Sequence, residues 1–268
     1  MNFDSLSIVG PALLAGMLVL ATHVPLGREV LGRGIIFIDL AVAQIAGLGV
    51  IAANGFQLES HSVAAQVAAF ASALVGGLLL SWTDRSFPKV QEAIIGVSFV
   101  LAATGGILLL ANDPHGGEEL RDLLVGQILF ADVHTLTPAA VLAALVLLSW
   151  RFVMRTLGRA GFYVLFAVSV TASVQLVGVY LVFASLMVPA LATRSLRKHA
   201  LAAGYAIGLV GYLVGLVLSA VFDLPTGAVI VWTLTAAALA SVPLLGRFRI
   251  PQQESPTNAR AAGAAPDA

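Results

Sequence analysis

Few residues in this chain can do chemistry, and most of those sit where a charge is costly. In "GIIFIDLAVAQIAGLGVI", Gly34 to Ile51, one carboxylate, Asp39, stands inside a run of apolar and small residues. Insertion of such a charge at membrane depth costs a few kcal/mol, so something must compensate it. Either Asp39 lies near an interface paired with Arg28 or Arg33 and fixes the position of its helix, or it serves a cation path. Gln44, five residues on, falls about 140° round an ideal helix and does not share its face. A second cluster, Asp113, His115, Glu118 and Glu119 in "NDPHGGEELRD", offers carboxylates and an imidazole, groups that bind zinc, manganese or iron. The same stretch, with a proline and two glycines, also reads as a solvated loop. His61, Asp132 and His134 belong to the same rim and carry little weight. Thr171 and Gln175 are spaced i, i+4 and share one helix face, either as interhelical glue or as pathway lining.

What is missing narrows the chemistry further. There is no cysteine, which excludes disulfides, thiolate metal sites and thiol catalysis. The two lysines, Lys89 and Lys198, follow no glycine loop, so no phosphate-binding G-x-x-x-x-G-K-[ST] motif exists and any ATP hydrolysis needs another chain. No base is placed to activate Ser173 or Ser185, which argues against a membrane enzyme. With 14 basic and 14 acidic residues, net charge gives no reason to expect nucleic acid as a partner.

The elements that position these groups are membrane helices. Of 268 residues, 59% are hydrophobic and only 10% charged, and the mean hydropathy is +0.97. That composition predicts an all-α, polytopic membrane protein. Apolar runs near 5–26, 34–53, 62–82, 92–111, 135–150, 201–221 and 227–245 are long enough to span, and the first is read as a retained helix. Basic clusters mark the cytoplasmic ends: Arg28 and Arg33; Arg85 and Lys89; Arg151, Arg155 and Arg159; Arg194, Arg197 and Lys198; Arg247 and Arg249. The stretch 161–193 has basic residues at both ends, so it must enter and return. Its 33 residues are too few for two full spans of about 20. A broken hairpin turning near Gln175 to Gly178 is expected, giving eight to nine membrane segments in all. Irregular backbone at that depth belongs where it is buried or lines a wet cavity, often at a transport site. Residues 1–246 form the membrane domain and 247–268 a disordered cytoplasmic tail.

Four stretches resemble the ABC transporter permeases for zinc, manganese and iron. "VLGRGIIFIDLAVAQIAGLG" is similar to the family's helix with a basic pair before an Asp-Ala-Leu-Ser-His motif, and "EAIIGVSFVLAATGGILLL" to its acidic-Ala-x-Ile-Gly helix. "VQLVGVYLVFASLMVPALATR" resembles its Val-Gly-x-Leu-Leu-Val run ending in Pro-Ala, and "DLPTGAVIVW" its Asp-x-Pro-x-Gly start of the last helix. The resemblance implies a permease in the bacterial plasma membrane that pairs with itself or a sister chain. It also implies cytoplasmic ATPase subunits that bind ATP and an extracytoplasmic metal-binding protein that delivers a divalent ion, with no cofactor resident in this chain. Asp39 matches the family's pathway carboxylate, but the histidine four residues on is replaced by Ala43. The family's longer docking segment before the hairpin is also absent, which leaves Arg155, Leu157 and Gly158, or the 194–199 loop, to meet the ATPase. Zinc is the first expectation for the ion, because His115 stands beside carboxylates. An ion-coupled secondary carrier and a non-transporting scaffold are the competing classes.

Overall fold

The computed structural model describes residues 3–55, 63–196 and 198–246. His61 and the tail at 247–268 lie outside the described residues. Among the described residues every regular element is helical: α1 (Phe3–Arg33), α2 (Ile38–Gly55), α3 (Val63–Ser86), α4 (Gln91–Leu109), α5 (Gly116–Val125), α6 (Val133–Val177), α7 (Val179–Ala192), α8 (Ala200–Phe222) and α9 (Thr226–Gly246). Seven segments are long and apolar enough to cross a membrane, and two shorter apolar ones, Ile38–Ala53 and Val179–Ala192, complete a set of nine.

Helix α1 is longer than its apolar run because its cytoplasmic end projects past the bilayer. Its 31 residues reach about 46 Å against a hydrocarbon core of about 30 Å. Arg28 and Arg33, read from sequence as loop residues, are therefore helical, and Arg33 pairs with Glu29 one turn back at 2.7 Å. Residues 34–37 form the turn into α2, with Gly34 at φ +71°.

Small residues set how closely the helices approach. A Cβ at Gly204, Gly208 or Gly16 would press on Val24, Leu20 or Tyr212 respectively, so α1 and α8 run antiparallel with side chains of one filling gaps in the other. Helices α8 and α9 repeat the pattern through Gly211 against Leu234 and Gly215 against Ile230. Ser219 and Thr226 close that pair with a 2.6 Å hydrogen bond.

The long helix α6 is two arms folded on one residue. Gly158, at φ 55° and ψ −121°, is non-helical and separates Val133–Leu157 from Arg159–Val177. Ala139, Ala143 and Val146 of the first arm line one small cavity with Leu176, Ser173 and Ser169 of the second, an antiparallel register. In the second arm 72% of the apolar window is buried, against 11% in the first. The arm 159–177 is therefore core, and the arm 133–157 lies exposed on the outside of the bundle.

That core arm turns back at Gly178 as the broken hairpin expected from charge parity. Leu176 shares its cavity with Leu18, Val19 and Thr22, halfway along α1, so the turn lies level with the middle of the membrane. Helix α7 then returns toward the cytoplasm, its Leu186 and Ala190 packed on Gly27. With 14 residues it covers about 21 Å, less than a full span. Ser185 anchors it by a hydrogen bond to the Leu181 carbonyl at 2.7 Å and a 2.8 Å bond with the Tyr212 hydroxyl. Tyr212→Phe is expected to cost about 1 kcal/mol, read as a lower midpoint of thermal unfolding in detergent; an unchanged midpoint would show that the α7–α8 bond contributes nothing net.

Candidate functional site

Asp39 is the second residue of α2, not five or six residues into a helix, because α1 continues to Arg33 and takes up the preceding residues. It is 1% exposed, and its Oδ1 atom is buried without a hydrogen-bond partner. Neither expected arginine reaches it as a described ion pair. Arg33 donates from Nε and Nη2 to Glu29 Oε1 at 2.9 and 2.7 Å, and its guanidinium lies 4.3 Å over the Phe162 ring. Arg28 keeps a buried Nη1 without a partner. What favours a carboxylate here is the helix itself, since the first turn of α2 carries the positive end of the peptide dipole.

Two faces of α2 do different things. Leu40 and Gln44 line a groove of about 650 Å³ together with Phe99, Tyr180, Phe183, Trp232 and Thr235. Asp39 and Ala43, one position earlier and about 100° round, turn toward the packed interior, where Ala43 is 2% exposed. Sequence reasoning missed this groove. A lone amide in an Ala- and Gly-rich helix was its one signal.

The outer segment is also more ordered than a loop. Glu118 and Glu119 occupy the first turn of α5, where carboxylates suit the dipole, while Leu120 and Leu124 line the groove and Leu123 meets Gly47. Asp113 accepts the His115 backbone N–H at 2.8 Å. The four predicted ligands Asp113, His115, Glu118 and Glu119 are not gathered into a centre: among the described residues no group of three or more His, Asp or Glu is arranged to hold a metal. Asp132 instead caps α6, accepting the Thr135 N–H at 2.8 Å while Thr135 Oγ1 accepts the Asp132 backbone N–H at 3.0 Å. These bonds hold the exposed Asp132 carboxyl below the usual range.

Thr171 and Gln175 share a face by spacing but not an environment. Thr171 is fully buried with an unpartnered Oγ1, whereas Gln175, in the last turn before Gly178, is exposed. The segment expected to meet the ATPase has no loop, because one glycine joins the two arms of α6. Arg155 and Leu157 are exposed beside it, and Arg159 reaches Asp84 at 3.3 Å.

The profile of the ABC 3 transport family matches residues 5–162 and 156–244, nearly the whole membrane domain. The chain belongs to the ABC 3 transport family. Its fold is similar to that of a solved structure, PsaBC from Streptococcus pneumoniae in complex with Fab, with a TM-score of 0.69 and 21% identity over 91% of this chain and 97% of that one. It is also 27% identical to an uncharacterized membrane protein, slr2045, of Synechocystis sp. (strain ATCC 27184 / PCC 6803 / Kazusa), over 86% of this chain and 88% of the relative. This ABC 3 family member is thus a multi-pass membrane permease in which α2, the helix of the buried Asp39, packs against both arms of the broken hairpin, α6 and α7.

Proposed function

We propose that this chain is the membrane-spanning subunit of a bacterial plasma-membrane ABC importer for a divalent transition metal, driven by ATP hydrolysis in separate cytoplasmic subunits. The observation that carries this reading is Asp39, a buried carboxylate with one unpartnered oxygen on a helix that packs against both arms of the broken hairpin. A structural charge would be paired; an unpaired one in low dielectric attracts a cation strongly when the path opens. The absence of a nucleotide-binding motif in the sequence supports division of labour with an ATPase, which docks on Arg155, Leu157 and Gly158 at the tip of the folded α6. A metal-binding protein delivers the ion on the outer side. A second copy or a sister chain covers the groove of Gln44, Tyr180 and Trp232, and alternating access moves the half-span α7 and its turn against α2.

Zinc, manganese and iron all fit this role. His115 stands beside carboxylates in sequence, but among the described residues no three such groups are arranged to hold a metal. The test is uptake of radioactive zinc, manganese and iron into proteoliposomes holding this chain with its neighbouring ATPase and binding protein. ATP-dependent accumulation of one metal is the expected result. Uptake driven by an ion gradient without ATP would move the chain to the secondary carriers, and no uptake under either drive would leave a scaffold.

A further inference from the structure

The outer face of α3 changes chemistry along its length as it reaches the corner with α4. Val75, Leu78, Leu79 and Trp82 follow one another at helical spacing and are each at least half exposed. One turn further on Arg85 is exposed, and exposed Lys89 follows in the short turn Pro88–Val90. Phe87, also more than half exposed, meets Trp82 edge to face with ring centroids 6.2 Å apart. Within about three turns the row passes from aliphatic to aromatic to cationic.

The corner is held in one shape. The buried Gln91 donates from Nε2 to the Leu80 carbonyl at 2.9 Å, the Phe87 N–H donates to the Thr83 carbonyl at 2.7 Å, and the Val90 N–H to the Phe87 carbonyl at 3.1 Å. Its two carboxylates are engaged away from the cations. Asp84 takes Arg159 at 3.3 Å, while Glu92 accepts the Phe37 N–H through Oε1 at 3.2 Å and buries Oε2. Arg85 and Lys89 have no ion-pair partner among the described residues. Cations at a cytoplasmic helix end satisfy topology by their charge alone. Topology requires neither an exposed aromatic pair beside them nor acids held off them.

We infer that this corner binds an anionic phospholipid, with its phosphate at Arg85 and Lys89, its glycerol at the Trp82–Phe87 pair and an acyl chain along Val75, Leu78 and Leu79. Aromatic rings favour the headgroup boundary of a membrane, long basic side chains reach from that boundary into the headgroups, and cations there are drawn to an anionic leaflet. A free phosphate would engage the two cations and leave the apolar row unused, so the occupant is lipid. The inference goes beyond the transport reading and does not depend on it, because lipid binding is measured without metal or ATP.

The test titrates detergent-purified protein with phosphatidylglycerol and with phosphatidylcholine, read by native mass spectrometry and by the midpoint of thermal unfolding. Wild type is expected to bind phosphatidylglycerol about tenfold more tightly, the equivalent of about 1.4 kcal/mol, and to unfold later in its presence. The double variant Arg85→Gln, Lys89→Gln should lose that preference and keep the wild-type midpoint in phosphatidylcholine, since neither side chain has an ion-pair partner to lose. Trp82→Ala should weaken binding of both lipids. Arg121→Gln, which removes an exposed cation of α5, should leave the preference intact. Equal affinity of wild type for the two lipids, or displacement of phosphatidylglycerol by millimolar inorganic phosphate, would overturn the lipid site. A double variant that keeps the lipid preference but no longer co-purifies with its ATPase would overturn it too, and would assign the corner to subunit docking.

Discussion

Replacing Asp39 by asparagine is expected to abolish ATP-dependent metal uptake, by about a hundredfold or more, while leaving the protein as stable as before or slightly more so. The two halves of that result come from the same observation. Asp39 Oδ1 is buried and unpartnered, so the carboxyl gives the resting fold little in return for its desolvation, and the amide fills the same volume without a charge. The passing cation, however, loses a full counter-charge in a low-dielectric site, and about 2.8 kcal/mol of lost binding corresponds to a hundredfold. Uptake and thermal unfolding of the same preparations check both halves. A variant that unfolds earlier yet transports normally would make Asp39 a helix anchor and sink the transport role. Glu29 provides the control. It is engaged with Arg33 near the end of α1, and a half-buried i, i+4 pair of this kind is worth about 1 kcal/mol or less, so Glu29→Gln should leave uptake near wild type.

The comparison of sequence with structure follows the range of each signal. Spans of about 20 apolar residues, basic ends and the parity of the 161–193 stretch are properties of local composition, and they located the helices and the turn at Gly178. Helix α5 escaped because its ten residues carry apolar groups on one face only, a pattern hidden from any window long enough to detect a span. The folded α6 looked like a basic loop because a one-residue turn at Gly158 leaves no compositional trace beyond the glycine itself. Asp39 was recognised as the residue that mattered, but its depth and orientation depend on where α1 ends and on which neighbours pack against α2. No local pattern encodes those. The groove of Gln44, Tyr180 and Trp232 assembles from helices far apart in sequence, and aromatic side chains in a membrane protein are too common to announce it.

Gly178→Ala is expected to be among the most destructive of the glycine-to-alanine changes in the described residues. Gly178 has φ 80° and ψ 163° and Gly126 has φ 70° and ψ 172°, a region open essentially to glycine alone, where another residue costs about 1–3 kcal/mol. The two glycines also press backbone to backbone. A Cβ on Gly178 would lie 2.7 Å from the Gly126 Cα, and one on Gly126 would meet the Val177 carbonyl. Neither obstacle is a flexible side chain, so overpacking adds about 1–3 kcal/mol more. A combined loss of about 2–6 kcal/mol is comparable to the whole stability of many domains, and the expected result is little folded protein by size exclusion in detergent. Gly126→Ala should behave alike, whereas Gly96→Ala, which meets nothing within 4 Å in the middle of α4, should be neutral or stabilising. The contrast matters for mechanism, because the same contact ties the C-terminal end of α5 to the mid-membrane turn, and Gly227 at the start of α9 rests on the Val125 carbonyl. Movement of the turn against α2 must then carry α5 and its Leu120 and Leu124 with it, so access from the outer side and the position of the hairpin are set by one rigid junction. A Gly178→Ala protein that folded with a wild-type unfolding midpoint would show that the junction yields, and the coupling of α5 to the hairpin would fall with it.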